Sequence, residues 1–448
     1  MKRTLIVLIL AVGFMKVLAQ ETDTVKTVSH PEKRKTGWNV GALPSVLFNS
    51  DLGFQYGILA NIFNYGDGSR YPDYKYSFYT EWSRTTKGGG INQLFFDSKY
   101  LLPWDLRITT DFSYLTQQAL DFYGFNGYEA QYNPEWETPD DTAYSSKMFY
   151  KLERKLLRLD VGFQKPLKNK HFRALLGFAY FDINMNNVDI EALNKGRDTN
   201  NLLPVVDGLY QKYVDWGLIT EAENDGGNLG VLKTGLVYDT RDNEPNPMKG
   251  MWSEVILPTS PGFLGNTTGF SKLVLIHRQY FTLVKDRLSL ACRLGYQGTL
   301  TGKTPFFMQS YMFNSFPKTT TVDGLGGGKS LRGIRMNRIV GDAIAYGNLE
   351  FRWKALKGYF WNQNFYIALS GFADFGRVVK KHEVDLSQIP DTERSSYIST
   401  DEETFHPSLG GGVHIAMNQN FVIAIDYGKA LDKRDGKDGM YIGLNFLF

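Results

Sequence analysis

Apolar and polar residues alternate with a period of two along most of this chain. In GMYIGLNFLF, residues 439–448, Met440, Ile442, Leu444, Phe446 and Phe448 share one side, and Tyr441, Gly443, Asn445 and Leu447 share the other. In FVIAIDYG, Phe421, Ile423, Ile425 and Tyr427 oppose Val422, Ala424, Asp426 and Gly428. Between positions 365 and 374, Phe365, Ile367, Leu369, Gly371 and Ala373 oppose Tyr366, Ala368, Ser370, Phe372 and Asp374. AIAYGNLEFRW sets Ala345, Leu349, Phe351 and Trp353 against Tyr346, Asn348, Glu350 and Arg352. RLSLACRLGYQG sets Leu288, Leu290, Cys292, Leu294 and Tyr296 against Ser289, Arg293 and Gln297. Such alternation predicts β-strands, each with an apolar face and a polar or small one.

About 16 strands follow from this reading, near 38–47, 54–64, 75–84, 90–100, 104–115, 146–163, 172–183, 228–239, 251–257, 268–282, 286–299, 343–354, 364–374, 408–417, 420–428 and 439–447. Connections after even-numbered strands are short, as near 101–103, 283–285 and 418–419. The long ones, 116–145, 184–227, 300–342 and 375–407, all follow odd-numbered strands. A soluble sandwich gives no reason for that parity. A transmembrane antiparallel β-barrel does, with short periplasmic turns, long outer loops, a wet lumen and an apolar wall against outer-membrane lipid. The aromatic last residue, Phe448, resembles the end of bacterial outer-membrane barrels.

Composition sharpens this picture. Aromatics make up 15% of the 448 residues and glycine supplies 45, which suits strands, tight bends and interfacial girdles. A net charge of +3 gives no support for nucleic-acid binding. The one cysteine, Cys292, excludes an internal disulfide. MKRTLIVLILAVGFMKVLAQ carries a basic start, a short apolar run and a Val17-Leu18-Ala19 cleavage site. It predicts a signal peptide over 1–19 rather than an anchor, and hence export. No cysteine follows the cleavage site, so lipid attachment there is excluded. Residues 20–37 read as a short polar leader, disordered in the periplasm, and 38–448 as the barrel.

The stretch GLGGGKS, 324–330, imitates the end of a phosphate-binding loop. Asp323 stands where the leading glycine belongs, and Gly333 interrupts the helix that should follow. A nucleotide site is therefore not expected. The six histidines show no metal-ligand spacing, and no G-x-S-x-G elbow occurs. Neither enzyme chemistry, nor a metal, nor a cofactor is expected.

Three motifs, in order, give the chain a relative. YDTRDNEPNPMKG, Tyr238 to Gly250, resembles a D-x-R-D-N…P-x-x-G turn after the eighth strand. Leu331-Arg332-Gly333-Ile334 resembles a V-R-G-[FY] loop tip, and Gly371 to Gly376 a G-x-x-D-x-G strand. The set is similar to that of the BamA/TamA-like superfamily of outer-membrane assembly and translocation barrels, also called the bacterial surface antigen family. The resemblance implies protein clients and envelope partner subunits, and help with inserting, assembling or moving proteins or lipids without ATP. A passive channel and a scaffold subunit of an envelope complex are the alternatives. Relatives usually carry periplasmic POTRA domains of about 75 residues, a small domain's size. The leader has no room for one, so a member without POTRA domains is expected.

Strand parity adds a physical expectation. Glu350 and Asp374 should point into the lumen on the two strands after the sixth outer loop. An arginine confined there needs carboxylate partners and can hold one through two parallel hydrogen bonds. Arg332, helped by Gly333 and accompanied by Arg335, is expected to lock loop six inside the barrel against Asp374, with Glu350 nearby. The bland reading has Arg332 and Arg335 free in solvent. In the periplasmic turn, Asp239 and Arg241 are expected to hold each other. With Asp242, Pro247 and Gly250 they form a rigid turn, or else a docking edge for partners. A lateral seam between first and last strands is expected to involve Gly41, Pro44, Gly443 and Phe448.

Overall fold

The computed structural model describes residues 34–49, 53–71, 73–244, 246–265, 269–316, 323–360, 363–418 and 421–448. The expected signal peptide and most of the expected leader lie outside the described residues.

Sixteen strands form one antiparallel sheet. They are β1 (Trp38–Asn49), β2 (Gly53–Asn64), β3 (Tyr76–Thr85), β4 (Gly89–Ser98), β5 (Arg107–Asp121), β6 (Lys151–Pro166), β7 (Phe172–Asn186) and β8 (Gly226–Asp239). The second half comprises β9 (Gly250–Ser260), β10 (Phe270–Val284), β11 (Leu288–Gly302), β12 (Ala343–Phe360), β13 (Gln363–Lys380), β14 (His406–Met417), β15 (Phe421–Ala430) and β16 (Asp438–Leu444). Each pairs with its chain neighbours, and β1 meets β16 to close the barrel.

The alternation explains which way each side chain faces. In β6, Leu152, Arg154, Leu156, Arg158 and Asp160 are buried inside, while Lys155 and Leu159 stand outside. Around the wall, Leu176, Phe178, Leu232, Leu294, Phe351, Leu369 and Ile415 are exposed. An apolar belt of that extent is stable against lipid, not water. Inside, many of the charges are paired, because a buried charge without a partner is costly. Arg158 Nε donates to Asp111 at 2.8 Å, Lys233 Nζ to Asp160 at 2.7 Å, and Arg107 holds Asp97 at 2.7 and 2.9 Å.

The long connections, 122–150, 187–225, 303–342 and 381–405, gather at one end. They carry short helices, among them Leu209–Asp215 and Asp391–Tyr397. Phe122, Tyr150, Tyr213, Trp216, Phe306 and Tyr397 join one apolar cluster there, a cap over the barrel mouth. Phe122 meets Tyr213 edge-on at 5.3 Å, and Trp216 meets Tyr397 at 5.0 Å. Glu403, in the last of these connections, ties it to the first and to β13 by accepting from the N–H of Tyr128 and of Val378. Burial pushes its carboxyl up, but His406 and those N–H groups outweigh this and hold it below the ordinary range.

At the short-turn end two elements fold under the lumen. The turn 240–249 sends Glu244 to Lys99 at 2.7 Å and to Arg107 on β5 at 3.4 Å, while Asn246 donates to Tyr366 on β13 at 2.5 Å. In a ring of sixteen strands, β5 and β13 lie opposite each other, so this turn straddles the mouth. The second element is the chain's end. The alternation predicted a lipid-facing row running to Phe448, but β16 stops at Leu444. Asn445 takes a left-handed conformation, φ 66°, and redirects the chain. Phe446 and Phe448 are then buried inside the barrel, which corrects the expected facing of both.

Candidate functional site

The described parts of loop six, 303–316 and 323–342, run from the cap into the lumen. Asp323, the residue that breaks the nucleotide-loop pattern, is gripped by Arg154 of β6 through two hydrogen bonds of 2.8 and 2.7 Å. Bridges between Leu325 and Ile339, and between Gly327 and Leu331, fold the next segment back on itself. Leu325, Leu331, Ile334 and Ile339 pack with the wall residues Ile344, Tyr346 and Val378. This packing presents Arg332 to the barrel wall.

The guanidinium meets three carboxylates. Arg332 Nε and Nη2 donate to the two oxygens of Asp374 at 3.0 and 3.1 Å, and its main-chain N–H donates to Asp374 at 3.0 Å. Nη1 donates to Glu350 at 2.7 Å and to Asp426 of β15 at 3.4 Å. The plane also lies 3.4 Å from the centre of the Phe372 ring. The Arg332 side chain is 1% exposed, and those of Asp374 and Glu350 are fully buried. Gly333 makes the approach feasible. Its φ is 91°, and a Cβ there would lie 2.5 Å from the main chain of Gly428 and Lys429. Its N–H donates to the Tyr441 hydroxyl at 3.1 Å.

Arg335 lies elsewhere. Its guanidinium sits over Tyr132 at 4.4 Å and 3.8 Å from Glu137, in the cap, and its N–H donates to the Asp435 carbonyl at 2.9 Å. It therefore fastens loop six to neighbouring loops, not to Glu350 or Asp374, because three residues of a turning segment aim it the other way. Three site residues had not been anticipated. Asp426 is one; Arg352 donates to Glu350 at 2.8 Å, and His414 meets Asp426 at 3.0 Å. Strand parity already put Asp426 and Arg352 on inward faces, the same signal that singled out Glu350.

The turn residues come together. Arg241 Nε and Nη2 each donate to Asp239 at 3.0 Å, and the guanidinium stacks on Trp252 at 3.8 Å. Asp242 accepts from the N–H of Met248 at 3.0 Å and of Lys249 at 3.3 Å. Pro247 is buried, and Gly250 has a φ of 93°.

The seam is the weakest joint in the sheet. Among the described residues, β1 meets β16 only at Phe48 with Ile442 and Asn49 with Tyr441. By contrast β1 pairs with β2 along its whole length, from Trp38 with Asn64 to Asn49 with Gly53. Gly41 and Pro44 lie in the stretch of β1 whose other edge has no strand among the described residues, and Pro44 has no N–H to offer one. Gly443 lies in β16, where a Cβ would find open space. Phe448, expected at the seam, is instead inside the lumen beside Tyr280 and Ala291.

A plugged sixteen-stranded barrel with this loop tip narrows the family. A model of the Omp85 superfamily domain matches residues 79–448. The chain belongs to the Omp85 superfamily. As an Omp85 protein it is an outer-membrane β-barrel of the Gram-negative type. The cap is thus extracellular and the short turns periplasmic. The fold is similar to that of BamA from Haemophilus ducreyi lacking POTRA domains 1–3, at TM-score 0.53 and 15% identity over 92% of this chain and 71% of that one. It is also similar to CdiB from Escherichia coli, at TM-score 0.55 and 10% identity over 93% of this chain and 64% of that one. The chain therefore spans less than two thirds of CdiB's length. No curated protein sequence matches it. Omp85 barrels act on protein clients and with partner subunits, and they are generally not enzymes.

Proposed function

We propose that this Omp85 barrel assists the insertion, assembly or translocation of proteins, or of lipids, at the outer membrane, and that it works at its β1–β16 seam rather than through its lumen. One observation carries the reading: a two-pair seam in a barrel whose lumen is stoppered. Among the described residues, the edge of β1 away from β2 is paired only at Phe48 and Asn49, and the rest of it is a template on which another strand can pair. Trp38 and Val40 on that strand are 60% and 67% exposed. The stopper argues against a passive channel. Loop six fills the centre, the cap covers the outer mouth, and the β8–β9 turn crosses the periplasmic one.

The test is reconstitution of the full chain into liposomes, followed by addition of an unfolded outer-membrane barrel protein. Folding of that client is expected to accelerate about tenfold over empty liposomes, a barrier reduction near 1.4 kcal/mol. An unchanged rate would remove the insertase reading.

A further inference from the structure

Two chains of contacts run from the loop-six arginine to the end of the polypeptide. In the first, Arg332 holds one oxygen of Glu350, and the other oxygen accepts from Arg352 Nε at 2.8 Å. Arg352 Nη2 then donates to the main-chain oxygen of Phe448 at 2.8 Å. Its guanidinium carbon also stands 4.2 Å from the Phe446 ring centre and 5.1 Å from that of Phe448. In the second, Arg332 reaches Asp426 Oδ2, and Asp426 Oδ1 meets His414 Nε2 at 3.0 Å. The His414 ring meets Phe446 edge-on at 4.5 Å. Both relays thus end on residues 446–448.

Those residues decide how long the seam is. Continued in the observed register, residues 443–448 would pair with residues 47–42 of β1, six pairs beyond the present two. They do not, because Asn445 turns the chain and the lumen holds both phenylalanines. Buried aromatic rings and a charge-assisted hydrogen bond offset the ladder hydrogen bonds forgone.

We propose that Arg352 and His414 are positioning residues that couple loop six to the seam. With Arg332 seated, they keep Phe446 and Phe448 in the lumen and the seam short. With Arg332 withdrawn, Glu350 and Asp426 lose their shared partner, the relays loosen, and the last residues zip onto β1. This coupling is a property of the barrel itself and does not depend on whether the protein inserts clients.

The test is a disulfide that reports zipping. In a Cys292→Ser background, Leu43→Cys and Leu447→Cys, which leave Asn445 and both phenylalanines in place, face each other only when β16 extends along β1. In the full chain in detergent micelles, oxidation is expected to be slow. Arg352→Gln and Arg332→Ala should each accelerate it about tenfold, the effect of losing one hydrogen bond to a charged group. Arg352→Lys, which keeps a cation, should restore part of the slow rate. Phe446→Ala with Phe448→Ala removes no charge and should accelerate oxidation as well. Adding Arg332→Ala to that pair should then change nothing more. An unchanged rate in Arg352→Gln barrels that keep their folded electrophoretic mobility would overturn the proposal. So would an Arg332→Ala effect that persists in full without the two phenylalanines.

Discussion

Arg332→Ala is expected to lower the unfolding free energy of the barrel by about 3–5 kcal/mol, the range for breaking a buried ion pair by removing one partner. The size follows from what stays behind. Asp374 is fully buried and loses the bidentate guanidinium, keeping one main-chain N–H from the same residue. Glu350 retains Arg352, and Asp426 retains His414, so these two are less exposed to the loss. Arg332→Lys should fall between, since an ammonium cannot bridge both oxygens of Asp374 and reach Glu350 at once. Urea unfolding in detergent, read by heat-modifiable electrophoretic mobility, measures both. A loss under about 0.5 kcal/mol, the scale of an ordinary surface change, would mean that the contact holds nothing in place.

The second large effect is functional. A disulfide between Phe48→Cys and Ile442→Cys, in a Cys292→Ser background, is expected to return client folding to the empty-liposome rate, and reductant to restore it. The two positions are directly paired across the seam, and opposed residues of an antiparallel pair lie close enough for a disulfide with small adjustment. Two ladder pairs are worth little. Measured net values near 1 kcal/mol per hydrogen bond make spontaneous separation frequent. A covalent bond removes that freedom and leaves the rest of the wall untouched. The same disulfide elsewhere, for example between Ile58→Cys and Trp82→Cys on β2 and β3, is expected to have no effect, because that joint is paired along its length. Undiminished activity in the oxidised seam variant would place the work away from the seam.

The barrel and the inward facing of its wall carboxylates were legible in the sequence for one reason: a strand exposes its two faces to lipid and lumen in strict alternation. That periodicity placed about sixteen strands and put Glu350 and Asp374 on the inward faces. It stops at loop residues. Arg332 and Arg335 are three positions apart in an aperiodic segment. Which one faces the wall depends on the Gly327–Leu331 bridge and on Gly333, neither of which leaves a repeating trace. The tail misled for a related reason. GMYIGLNFLF alternates to its last residue, but a single left-handed residue at Asn445 swaps lipid for lumen without disturbing the pattern. The aromatic cap was invisible as well, because its residues come from four separate connections and meet only in three dimensions.

The central claim is that the lumen is stoppered by loop six. Planar-bilayer recording of the purified full chain tests it most directly. A stoppered barrel gives small, flickering conductance events, and replacing residues 304–341 with a short turn should enlarge them markedly. A large, steady pore from every incorporated wild-type barrel would contradict the account.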